Sequence, residues 1–191
     1  MRIGVLALQG DFARHAQALA RLGVEAPEVR TPDQLAGLDG LVIPGGESTT
    51  LLKLMGEPFP PALRAFHAAG RPIYGTCAGL ILLAREVVGP TQPSLGLLDA
   101  TVERNAYGRQ RESCEVETEA RLDGTPVPLR MVFIRAPRIL RVGPGVRTLA
   151  TWRHEPVLAR EGTLLAGTFH PELTDDLTVH RYFRQMVEAA A

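Results

Sequence analysis

The stretch PIYGTCAGLILLA, residues 72–84, runs from a short apolar segment straight into an apolar helical pattern. Only Gly75-Thr76-Cys77-Ala78-Gly79 lies between the two. That junction predicts a sharp strand-to-helix turn, because Gly75 and Gly79 permit tight bending and close backbone packing. Cys77 falls at the bend and at the positive end of the following helix, where a thiolate is favoured over a thiol. The pattern is that of a nucleophile elbow with cysteine in place of serine. A buried structural cysteine fits the same local pattern, since free cysteine is among the most buried residue types.

Working outward, short strand-like runs alternate with helical patterns through the first half. RIGVLAL (2–8) reads as a buried strand, followed by a helix over DFARHAQALARLG (11–23) with Asp11 as N-cap and Gly23 as its stop. VEAPEVR (24–30) is a weaker strand, and DGLVIPGG (39–46) a third that ends in glycines. Ser48 is expected to cap a helix through TTLLKLM (49–55), and PPALRAFHAAG (60–70) starts on two prolines and ends on Gly70. RPIYGT (71–76) is the next strand and AGLILLAREV (78–87) the next helix. This alternation predicts an α/β fold with a mostly parallel central sheet and helices on both faces.

Beyond residue 95 the pattern changes. LLDATVERN (97–105), SCEVETEARL (113–122), PLRMVFIRA (128–136), RTLATWRH (147–154) and EPVLARE (155–161) read as additional, antiparallel strands separated by turns. TLLAGTFHPE (163–172) is a further strand, and TVHRYFRQMVEAAA (178–191) an amphipathic closing helix. With 191 residues, no repeat and no linker, the chain reads as one domain over 1–191.

Composition narrows the function. Twenty-one basic residues balance twenty-one acidic ones, which disfavours nucleic acid or an anionic membrane as the main partner. No run is long enough to span a bilayer. Two cysteines are too few for a disulfide scaffold, so a cytoplasmic protein with free thiol is expected. C-x-x-C and helical H-x-x-x-H pairs are absent, as are the three-glycine dinucleotide fingerprint and a P-loop, so neither a metal nor a cofactor is expected.

In an open α/β sheet, sites form at the carboxyl ends of strands. Four such ends carry polar or glycine-rich chemistry: Gln9-Gly10, Gly45-Gly46-Glu47-Ser48, Gly75 to Gly79, and His170-Pro171-Glu172. A thiol nucleophile needs a base and a group that orients it. His170 is the candidate base, with Glu172 two residues on, on the same side of an extended chain. Pro171 biases His170 toward that extended conformation. His15 and His67 read as surface or partly buried helix positions, His154 as a turn residue, and His180 as part of the last helix. Ala78, the residue after the nucleophile, supplies one oxyanion N–H by elbow geometry. Gly46 supplies a second, unless Gly45-Gly46 is an ordinary turn. Glu47 either binds a substrate ammonium group or simply favours the first turn of its helix.

These residues resemble the triad-type (class I) glutamine amidotransferases. LALQGDFARH, IPGGEST, GTCAGLILLA, ERNAYGRQ, VFIRAP and FHPELTDD, in order from residue 6 to 176, are similar to the glutaminase subunits of pyridoxal 5′-phosphate synthase. Cys114 departs from that resemblance, which implies an aromatic residue there. The resemblance implies that L-glutamine is hydrolysed to glutamate and ammonia by a Cys77–His170–Glu172 triad. It implies substrate contacts from Gly45, Gly46, Glu47, Arg104, Ile134 and Arg135, and places Gln9 near the oxyanion turn and toward the partner. That partner would be a (β/α)₈-barrel synthase subunit in a hetero-oligomer, which receives the ammonia and activates the glutaminase by a peptide flip near Gly46. A stand-alone cysteine hydrolase, such as a peptidase or γ-glutamyl hydrolase, and a non-catalytic binding subunit are the rival readings.

Overall fold

Strand β1 (Ile3–Leu6) is buried at every position, because both faces of the sheet it belongs to are covered. Alternation along such strands sends neighbouring side chains to opposite cores. Ile3 and Val5 enter one core and Leu6 the other. The computed structural model describes residues 1–104 and 114–191. In chain order the elements are β1, α1 (Phe12–Arg21), β2 (Glu28–Val29), β3 (Gly40–Ile43), α2 (Ser48–Met55), α3 (Phe59–Ala68), β4 (Ile73–Thr76) and α4 (Ala78–Leu83). There follow β5 (Ala84–Val88), β6 (Leu98–Glu103), β7 (Cys114–Leu122), β8 (Thr125–Phe133), β9 (Arg138–Val142), β10 (Arg147–Trp152), β11 (Glu155–Glu161), β12 (Leu164–Gly167) and α5 (Thr178–Ala189).

The main sheet has nine strands in the order β2-β1-β3-β4-β12-β11-β10-β7-β8. From β2 to β12 neighbours are parallel. From β12 to β8 they are antiparallel. The expected mostly parallel sheet with antiparallel strands added from the second half is therefore the architecture found. Side chains of α1 and α5 fill one core, with Val5, Val42, Tyr74 and Leu165 from the sheet. Those of α2, α3 and α4 fill the other, with Leu41, Ile43, Ile73 and Leu164. Strand order reverses between β1 and β3, and the turns after both strands meet there, which is where open α/β sheets bind ligands. Among the described residues no helix is long and apolar enough to cross a membrane.

Several local expectations are corrected. The helix after the elbow stops at Leu83 instead of running to Val87, and Ala84–Val88 forms β5 in a second sheet, β5-β6-β9. The reason lies in the loop before β6: the N–H groups of Leu95 and Leu97 bond the carbonyls of Leu82 and Leu83, taking acceptors that another helical turn would need. Strand β9 carries RILRV, which was not expected as a strand. Asp11 sits at the start of α1 but caps through its backbone carbonyl, not its side chain. Ser48 is the first helical residue of α2, and the cap is Glu47.

Candidate active site

The bend predicted at Cys77 is present and strained. Its φ is 49°, a region that L side chains rarely adopt and that costs roughly 1–3 kcal/mol. The Cys77 N–H bonds the Gly167 carbonyl at the end of β12, and the Cys77 carbonyl accepts from Ile81 in the first turn of α4. Two glycines make the bend possible. A Cβ on Gly79 would overlap the Ile43 carbonyl, and one on Gly75 would meet the Gly79 backbone at 2.6 Å. The nucleophile candidate is thus wedged between β3, β4 and β12 with little room for a different backbone path.

His170 follows β12 with its own N–H bonded to the Val132 carbonyl of β8. Pairing with Glu172 arises differently from expectation: Pro171–Leu173 is a 3₁₀ turn, not an extended strand. The turn still brings His170 Nδ1 to 2.7 Å from Glu172 Oε1. Burial alone would lower the His170 pKa, but hydrogen bonding to Cys77 and to Glu172, with the charges of both, raises it to about 10. Burial would also raise the Glu172 pKa; the close approach of His15 and the hydrogen bond from His170 outweigh it and hold the carboxylate below its ordinary range. The imidazole is therefore bonded to the carboxylate on one side and shares the cleft with Cys77, both lying against Gly45.

Opposite lies the turn after β3. A Cβ on Gly45 would run into the His170 ring and come within 3.2 Å of the Cys77 Cβ, so only glycine admits the imidazole here. Gln9 grips this turn from behind: its Nε2 donates to the Gly45 carbonyl (3.4 Å) and its Oε1 accepts from the Glu47 N–H (3.0 Å). Because the peptide is trans, the Gly46 N–H points away from Gln9. The Glu47 carboxylate accepts from the N–H groups of Thr49 and Thr50 and from the Thr50 hydroxyl. Slight burial opposes its ionisation, but those bonds lower its pKa to about 2.

A cleft of about 200 Å³ opens between these elements. Gly46, Glu47, Cys77, Arg104, Ile134, Arg135 and His170 all line it. Gly45 lies directly beneath His170, Gln9 stands behind the turn, and Ala78 is fully buried at the start of α4. Arg104 reaches Thr49 Oγ1 at 2.9 Å and Glu47 Oε1 at 3.3 Å. Of the ERNAYGRQ block only Glu103 and Arg104 fall among the described residues. Arg135 has a φ of 45° just past β8, a second strained residue at the rim. Two arginines facing Glu47 and Asp11 give the cleft both signs of charge, which suits a zwitterion. Among the described residues no group of His, Cys, Asp and Glu could hold a metal. Cys114 is a free thiol at the start of β7, opposite Phe133 and away from the cleft.

Sequence reasoning did not place Asp11, Ile81 and Leu173 in the site, placed Ser48 there only as part of a glycine-rich strand end, and weighed His15 and His180 without assigning them a role. Both are fully buried, which corrects the reading of His15 as a surface or partly buried position; His180 lies on the last helix as expected. The signal was present: His15 falls in the stripe Phe12–His15–Leu19–Leu22, and His180 in Val179–His180–Phe183–Val187, at helical spacing.

Fold and cleft together fit one chemical class, the α/β enzymes that cleave a small charged amide with a cysteine nucleophile. The chain belongs to the SNO glutamine amidotransferase family, which it matches over residues 5–189. It is 52% identical over 189 residues to the pyridoxal 5′-phosphate synthase subunit PdxT of Thermotoga sp. (strain RQ2), covering 98% of this chain and 100% of that one. It is 54% identical over 187 residues to the subunit of the same name from Koribacter versatilis (strain Ellin345), covering 98% and 96%. A solved structure described as a glutamine amidotransferase superposes with a TM-score of 0.88 at 50% identity, covering 97% and 98% of the two chains.

Proposed function

We propose that Cys77, His170 and Glu172 hydrolyse the side-chain amide of L-glutamine and that the ammonia feeds pyridoxal 5′-phosphate synthesis on a partner subunit. The single observation that carries this reading is the imidazole held between Cys77 and Glu172 at the floor of a cleft charged for an amino acid. The Cys77 sulfur attacks the amide carbon and forms a tetrahedral oxyanion. The Gly46 and Ala78 N–H groups hold that charge. His170 gives a proton to the amide nitrogen, the C–N bond breaks, ammonia leaves, and a thioester remains. His170 then takes a proton from water, whose oxygen displaces the sulfur to give glutamate. Arg104 and Arg135 face the α-carboxylate and Glu47 the ammonium group. Ile134 packs beside the substrate and Gly45 leaves it room.

The cleft's volume, about 200 Å³, favours this substrate over a peptide or a folate tail, since it is below the roughly 300–1,000 Å³ of sites for drug-sized ligands. The family resemblance supports a (β/α)₈-barrel synthase as the partner, docked on the side of Gln9. Two free thiols support a cytoplasmic setting. The main sheet includes strands from both ends of the chain, which supports one glutaminase domain over residues 1–191.

Ammonia release from glutamine, measured alone and with purified synthase subunit, tests the reading. The expected result is turnover that rises with synthase and vanishes in Cys77→Ala. Equal ammonia release from the Cys77→Ala chain would remove the proposed nucleophile.

A further inference from the structure

Behind the triad carboxylate stands a pair of histidines that the reaction above does not use. His15 Nε2 lies 3.3 Å from Glu172 Oε2, the oxygen that His170 leaves open. The two atoms lie at ion-pair distance without hydrogen-bond geometry, and Glu172 Oε2 has no hydrogen-bond partner among the described residues. The same nitrogen is 3.4 Å from Thr76 Oγ1, next to the nucleophile in the chain. On its other side His15 Nδ1 is 2.9 Å from His180 Nε2. Both rings have no solvent exposure. Residues of β4 and α5 thus meet His15 of α1, and His15 alone of the three reaches the carboxylate.

We propose that His15, braced by His180, is a positioning residue for the reaction: it holds the plane of the Glu172 carboxylate and so the orientation of His170. The inference rests on the assignment of Glu172 to the triad. One hydrogen bond at Oε1 leaves the carboxylate torsion free, because that terminal rotation is broad and two-fold. The His15 ring packed at ion-pair distance from Oε2 limits that freedom. It also compensates a charge whose burial without partners is strongly unfavourable. A packing role alone does not explain the arrangement. Like Glu172 Oε2, His180 Nδ1 and the Tyr74 hydroxyl have no hydrogen-bond partner among the described residues, an unfavourable state for buried polar atoms. Leucine or phenylalanine would fill that space without it. Burial, then the neighbouring charge of His15, lowers the His180 pKa to about 3, so His180 is a neutral brace.

The test is glutamine hydrolysis by His15→Leu, His15→Gln and His15→Asn chains with saturating synthase subunit, alongside wild type and Cys77→Ala. Glutamine places an N–H donor where His15 Nε2 sits, toward Glu172; asparagine reaches only the Nδ1 side, toward His180. The expected result is a fall in kcat of about 10–100-fold for His15→Leu, by analogy with groups that orient catalytic ligands. KM should stay unchanged, because an orienting contact acts on the chemical step and not on binding. Glutamine should recover most of the loss and asparagine little. Wild-type kcat in His15→Leu, or equal recovery by glutamine and asparagine, would overturn the inference. If the leucine chain does not fold, the glutamine–asparagine contrast decides alone. Wild type no faster than Cys77→Ala would instead mean that the glutaminase reading itself has failed.

Discussion

Two glycine turns flank the cysteine, and they are held in different ways. The elbow at residues 75–79 is fixed by main chain: Gly79 against the Ile43 carbonyl, Gly75 against Gly79, and the Cys77 N–H on Gly167. The turn at Gly45-Gly46 is fixed largely by one side chain, Gln9, through contacts of 3.4 and 3.0 Å. Gly46 itself is exposed, with a φ of 133°. Placement of the sulfur is therefore built into the packing of the sheet, whereas placement of the Gly46 N–H depends on one side chain at an exposed turn. On the proposed reading, the nucleophile would be fixed in place and the oxyanion donor open to control.

The largest effects should separate the two turns. Gly45→Ala puts a methyl group against His170 and Cys77, so turnover should fall at least about 10²–10³-fold, as when an oxyanion donor is lost. Gly79→Ala drives a methyl into backbone that cannot give, so its melting temperature should drop with an overpacking penalty of roughly 1–3 kcal/mol. Kinetics and melting on the same samples check this; a Gly79→Ala chain that melts like wild type would break the comparison.

A smaller effect is expected behind the second turn. Gln9→Ala removes two hydrogen bonds worth about 0.5–1.5 kcal/mol each, so turnover should fall about 10-fold and the melting temperature should drop no further than in Gly79→Ala. A loss that added synthase fully repairs would sharpen the account, because the partner would then be supplying the grip. Unchanged turnover without synthase would show that Gln9 does not set the turn.

The smallest effect is a matter of pH. The raised His170 pKa gives a stabilisation complete below the ordinary imidazole value, about 6.5, and lost as pH rises through about 10. Glu172, held low, contributes above the ordinary carboxylate range and is lost on acidification through its depressed value. Replacing Cys77 by alanine removes one of the two partners that raise His170. The imidazole midpoint followed by NMR should then move down, and alkaline unfolding should begin at lower pH. An unmoved midpoint would mean that thiol and imidazole do not interact.

Much of this arrangement was legible because its signals are local. The spacing of Gly75, Cys77 and Gly79 encodes the elbow, and His170-Pro171-Glu172 encodes a base beside its carboxylate. What stayed hidden depends on contacts remote in sequence. Nothing near Leu83 announces that Leu95 and Leu97 will cap α4 and turn AREVV into a strand. Glu47 looked like a choice between a first-turn residue and a substrate contact, and its carboxylate both caps α2 and lines the cleft. His15 and His180 are 165 positions apart, and their pairing exists only because α1 and α5 share one face of the sheet. The segment from Gln9 to His15 is the clearest case: its first residue grips the Gly45-Gly46 turn and its last touches the triad carboxylate.

The central claim is that the sulfur of Cys77 attacks glutamine. A diazoketone analogue of glutamine, incubated with the chain and its synthase and followed by peptide mass spectrometry, tests it most directly. The account predicts one adduct on the peptide carrying Cys77, none on Cys114, and activity lost in step with labelling. An adduct elsewhere that abolishes activity while Cys77 stays unmodified would contradict it.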